Sequence, residues 1–164
     1  MKYHLLLLII FSTTFVHAQS VTFTTEQLKS DINYLQHQLE LKHAGLYTYT
    51  DMKTLFHVFD SLKNNIPGPM TDLEFYAYVS PVLSVIKDGH TMIFPNTETI
   101  NYHNANSLFF PFRILNDGEK MFVELNYSTT DLIPNGSQIL SINGMNSSDL
   151  LNRLLSTMMR DGNN

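Results

Sequence analysis

The chain contains no cysteine. It therefore has no disulfides, no thiol nucleophile and no cysteine for lipid attachment, even in a compartment that would permit disulfides. Charge is sparse as well. Charged residues make up 15% of the chain, the formal net charge is −5, and no Lys/Arg cluster occurs, which argues against a nucleic-acid partner. There is no low-complexity tract and no long charge run. None of Ser107, Ser128, Ser137, Ser141 or Ser156 lies in a Gly-flanked nucleophile elbow or a Ser-x-x-Lys pairing. No histidine pair has metal-ligand spacing such as His-Glu-x-x-His, so neither a metal nor another cofactor is expected.

What is present suits a globular protein. The 164 residues allow one domain or one and a half, and a hydrophobic fraction of 43% supplies a core. The N-terminus reads as a secretory signal over residues 1–18. Lys2 gives the positive region, Leu5 to Phe11 the apolar core, and Val16-His17-Ala18 the cleavage site. The run is short for a membrane span; an uncleaved anchor is the alternative. Export without cysteine points to a periplasmic or secreted protein, touching a membrane only through the signal. Asn126-Tyr127-Ser128, Asn135-Gly136-Ser137 and Asn146-Ser147-Ser148 match the glycosylation triplet, which chance explains in a chain so rich in Asn and Ser.

The first half reads as helical. Thr24 and Gln27 make a capping box, and Leu28, Ile32, Leu35 and Leu39 follow at helical spacing. The pattern breaks at His43 to Tyr47. A second helix is expected from about Met52 to Asn64, burying Leu55, Phe59 and Leu62, and Pro67-Gly68-Pro69 stops it. Thr71 and Glu74 form a second capping box that opens a helix through Ile86. Leu73, Tyr76, Val79, Leu83 and Ile86 line its apolar side, and Pro81 is placed to kink it.

The second half changes character. Met92 to Pro95 is strand-like, and residues 96–106 read as a polar loop. Leu108 to Leu115 and Lys120 to Leu125 read as strands joined by Asn116-Asp117-Gly118-Glu119, a hairpin signal. After a turn at Ile133 to Gly136, Gln138 to Ile142 is a strand stopped by Asn143-Gly144. Ser147 or Ser148 then caps a helix with Leu150, Leu151, Leu154, Leu155 and Met158 on its core side. Asp161-Gly162 reads as a helix stop. Most of the aromatic residues at Tyr47, Tyr49, Phe75, Tyr76, Phe109, Phe110 and Phe112 are expected in the core.

Asp88-Gly89-His90-Thr91 carries the chemistry. A glycine permits a sharp turn, and a histidine exchanges protons near neutral pH. The plain alternative for His90 is a structural histidine at a helix end, where its positive form suits the dipole. His37 and His57 fall on helices at or near the surface, His43 in a loop that could flank a cleft, and His103 in the polar loop.

Three segments together carry a family likeness: Leu46-Tyr47-Thr48-Tyr49, then Met70-Thr71 with Glu74-Phe75-Tyr76, then Ile86 to Thr91. They resemble the N-terminal region of the tail-specific (C-terminal-processing) serine peptidases, in the secreted tricorn-core-like branch of Bacteroidetes. Gly136 to Gly144 is similar to the PDZ-like segment that follows in those enzymes, and Asp161-Gly162-Asn163 to the sequence after its helix. The resemblance spans about residues 25–164. It implies an α+β chain: a helical domain of about three helices over residues 19–90, then a PDZ-like small β-sheet with a capping helix over 91–164. It implies that His90 is the general base for a nucleophilic Ser in a catalytic domain beyond Asn164, with a peptide or protein as substrate. Asp88 matches the acid before that His. The PDZ-like domain is expected to be truncated and the catalytic domain absent, leaving the identity of the nucleophile and the substrate-binding residues open. The alternatives are a non-catalytic peptide- or partner-binding PDZ-like module, Gly136 to Gly144 then forming either a peptide groove or a plain hairpin, and an inactive gene fragment.

Overall fold

The protein is described here by a computed structural model covering residues 21–162. The signal segment over residues 1–18 lies outside the described residues. Among the described residues the fold is mixed: helices, with three small antiparallel sheets.

Two capped helices spring from one short ladder. Thr22–Phe23 (β1) pairs antiparallel with Met70–Thr71 (β2), Thr22 opposite Thr71. Thr24 caps Thr25–Lys42 (α1) and Thr71 caps Asp72–Val79 (α3), both through the capping boxes legible in the sequence. At the second box Thr71 Oγ1 donates to Glu74 Oε2 at 2.9 Å and accepts from the Glu74 amide at 3.3 Å. Thr71→Ala removes that acceptor from the helix start. It is expected to cost about 1 kcal/mol, readable by urea denaturation.

Met52–Asn64 (α2) packs against α1 and has the bounds its periodicity predicts. Its cap is Asp51, whose carboxylate accepts from the Thr54 amide at 3.0 Å. The helix expected from Thr71 to Ile86 is two: α3 and Pro81–Ile86 (α4), with the proline at the first turn of α4 rather than inside a bent helix. Proline lacks the amide that a continuous helix would use there, and its fixed φ suits a helix start.

Ile32 of α1, Leu55 and Phe59 of α2, Val79 of α3, and Val82 and Ile86 of α4 form the helical core, closed by Leu46. Leu73 was expected on that side but is exposed.

The strand expected at Met92 to Pro95 is absent, and the polar stretch after it is a helix, Thr97–Asn106 (α5). Asn96 caps it by accepting from the Thr99 amide at 2.8 Å, and the Asn96 amide donates to Asp72 at 3.0 Å, tying α5 to the start of α3. No residue of α5 is buried, so no apolar period marks it in the sequence.

Phe112–Asn116 (β3), Met121–Asn126 (β4) and Gln138–Ile139 (β5) form a three-stranded sheet in that order. β3 starts later than expected, leaving Leu108, Phe109 and Phe110 exposed before it. The single strand expected over Gln138 to Ile142 divides. β5 pairs with β4, while Ser141–Ile142 (β6) turns back on Met145–Asn146 (β7). Asn143 and Gly144 both have positive φ, the two-residue turn that Asn-Gly favours.

Ser147–Leu155 (α6) is capped by Asn146, not by Ser147 or Ser148. Asn146 Oδ1 accepts from the Ser148 amide at 2.9 Å. Leu151 is buried on this helix, whereas Leu154, Leu155 and Met158 are exposed, contrary to expectation. The aromatics also differ from expectation. Tyr47, Tyr49, Phe109 and Phe110 are exposed, and Phe75, Tyr76 and Phe112 are half-buried. Among the described residues no helix is long and apolar enough to cross a membrane.

Candidate functional site

The segment Asp88 to Thr91 sits directly past the C-terminus of α4. Lys87 ends that helix in the left-handed conformation, φ 59°, with its amide donating to the Leu83 carbonyl at 3.1 Å. Lys87, not Gly89, therefore takes the unusual backbone angle that reverses the chain. The next four residues form a turn closed by Thr91 N–H to the Asp88 carbonyl at 3.2 Å.

Asp88 organises the turn. Its Oδ1 accepts from the His90 amide at 3.0 Å, and its Oδ2 accepts from Thr91 Oγ1 at 2.7 Å. A third partner comes from α1. His43 is the C-cap of that helix, and its Nε2 lies 2.8 Å from Asp88 Oδ2 and 2.8 Å from Thr91 Oγ1. Because Thr91 Oγ1 spends its proton on Asp88, it can accept one from His43 Nε2. That assigns the proton to Nε2, while Nδ1 is buried with no partner among the described residues. The sequence places His43 in a loop that could flank a cleft; in the structure it is built into the site.

The Thr91 hydroxyl, then the His90 amide and His43, outweigh partial burial and hold the Asp88 carboxyl down to about 2. Asp88 is thus an anion throughout the neutral range. Its folded value lies below the unfolded value of about 4, so its contribution is present above about pH 4 and lost as pH falls towards 2. Asp88→Asn should flatten the fall in stability over that interval, as measured by urea midpoints at pH 6 and pH 3.

His90 projects outward, its side chain 91% exposed, with Nδ1 3.5 Å from Asp88 Oδ1. A carboxylate on the Nδ1 side leaves Nε2 pointing into solvent, the orientation a general base requires. Among the other histidines, His37 and His57 are exposed on α1 and α2. His103 is half-buried on α5, its Nδ1 2.6 Å from Ser107 Oγ at the end of the same helix.

The chain from beyond α6 returns to this turn. Gly89 N–H donates to Asp161 Oδ1 at 2.8 Å, and Gly162 N–H donates to the Lys87 carbonyl at 3.0 Å. A Cβ on Gly89 would stand 2.8 Å from Asp161 Oδ1 and 3.0 Å from its Cγ. The missing Cβ at Gly89 leaves room for that carboxylate to approach the turn. Asp161 is therefore part of the site, not the helix stop expected from the sequence; α6 ends earlier, at Leu155.

No family model, no curated protein and no solved structure matches this chain.

Proposed function

We propose that this chain is the N-terminal portion of an exported serine-type peptidase, in which His90 is the general base for a Ser carried by a C-terminal domain. The arrangement of Asp88 and His90 supports the reading: an ionised carboxylate on the Nδ1 side and an exposed Nε2. In the reaction, Nε2 takes the proton of the Ser hydroxyl as its oxygen attacks the peptide carbonyl. The same proton then goes to the departing amine as the C–N bond breaks. His90 is open to water in this chain, so a second domain must cover it, exclude solvent and supply oxyanion donors. Export rests on the leader in residues 1–18, and the substrate is a peptide or protein. On this reading the 164-residue chain alone hydrolyses no peptide, whereas a longer gene product with the Ser-bearing domain does. Hydrolysis by the purified short chain would contradict it.

A second reading is a peptide-binding PDZ-like module. A cavity of about 480 Å³ beside β5, lined by Phe110, Val123, Leu132, Ile139 and Leu140, favours it. Fluorescence titration with peptides bearing free and amidated C-termini tests this, and saturable binding that prefers the free carboxylate is expected. No binding of either peptide would rule it out.

A further inference from the structure

The return of Asp161 to the turn creates a donor set that no local motif announces. Asp88, His90 and Asp161 each place one ligand atom so that all three lie within 4.8 Å of one another. The set mixes an imidazole with two carboxylates, and it joins positions on opposite sides of the β-rich half. We propose that Asp88, His90 and Asp161 bind a single divalent transition-metal ion of the zinc type.

Three observations carry this. First, one pair of the donors fits the ion. Two ligands about 2.0–2.1 Å from Zn²⁺ at a tetrahedral angle stand about 3.4 Å apart, and His90 Nδ1 lies 3.5 Å from Asp88 Oδ1. Second, groups outside the donor set orient the ligands, as metal sites require. His43 and Thr91 hold Asp88 Oδ2, and the Gly89 amide holds Asp161 Oδ1. Third, Gly89 leaves open the space that a Cβ would fill, so the Asp161 carboxylate can seat against the turn. The exposed face leaves a fourth position for water. An imidazole among the ligands favours Zn²⁺ over Mg²⁺ or Ca²⁺, which prefer all-oxygen sites.

The ion takes the Nδ1 lone pair, whereas a general base at His90 keeps a proton there and works through Nε2. Metal binding and base function are thus alternative states of one ring. Binding is measured without turnover, so its failure leaves the peptidase reading standing.

The test is calorimetric titration of the full, metal-stripped chain with Zn²⁺ alone and with Mg²⁺ alone, accompanied by amide NMR. Saturable uptake of one Zn²⁺ is expected, with shifts centred on residues 88–91 and 161 and no comparable uptake of Mg²⁺. Asp161→Asn keeps an acceptor for the Gly89 amide, so the turn survives, yet it should weaken Zn²⁺ binding at least about tenfold. His90→Ala should do the same, and His103→Ala should not. Absence of saturable Zn²⁺ uptake would overturn the proposal. So would uptake that Asp161→Asn and His90→Ala leave unchanged, or Mg²⁺ binding as tight as Zn²⁺.

Discussion

Replacing Phe59 with alanine is expected to destabilise the protein by about 3–5 kcal/mol, the usual cost of emptying an aromatic site in a packed core. Phe59 is 1% exposed on α2 and sits in the cluster that joins Ile32 of α1 to Val82 and Ile86 of α4. The helices are short, so this shared core holds them more than their own propensity does. A small domain has about 5–15 kcal/mol in total, so the loss would remove a large part of it. Urea denaturation should show the midpoint lowered by about 1 M or more, given slopes of about 1–3 kcal/mol/M. The effect should also reach the site. Ile86 lies two residues before Asp88, and His43 must come from α1 to meet it. Loosening the packing of α2 against α1 and α4 should therefore weaken the pairing of His43 with Asp88.

His90→Ala carries the second large effect. In a gene product that includes the Ser-bearing domain, loss of the base should lower kcat/KM about 10²–10⁴-fold, or about 3–5 kcal/mol of transition-state stabilisation. The fall should lie in kcat with KM nearly unchanged, because His90 would act on the reacting proton and not on the resting substrate. Asp88→Asn should give a smaller loss of the same kind, since it leaves the imidazole but removes the negative charge 3.5 Å from its Nδ1. His43→Asn should act more weakly still, through Asp88 alone.

Much of the helical half was legible because its signals are local. Thr24 with Gln27 and Thr71 with Glu74 are each three residues apart, and the bonds they predict are present. Leu55 and Phe59 recur at one helical turn and are buried together. Signals failed where burial gives no period. α5 presents no buried residue, so only Asn96 and Glu98 at its start mark it as a helix. Gln138 to Ile142 reads as one strand, because the sequence does not show that the chain changes partners at Leu140. That residue is exposed between β5 and β6, and its carbonyl accepts from Ser147 at 2.9 Å.

The site divides the same way. Asp88 and His90 are two residues apart and stand out as a pair. His43 lies 48 positions from Thr91, and Asp161 lies 72 from Gly89, so only tertiary structure brings them in. Gly89 illustrates the difference well. Its presence was noticeable, but its reason is the approach of Asp161 and not a left-handed backbone.

The proposed role of His90 is tested most directly by the rate at which a fluorophosphonate probe labels a gene product that carries the Ser-bearing domain. A split-site peptidase should show one labelled Ser beyond residue 164. Its labelling should slow about 10²-fold or more in His90→Ala and remain unchanged in His103→Ala. Labelling of His90→Ala at the wild-type rate, or no labelled Ser at all, would contradict the assignment of His90 as the base.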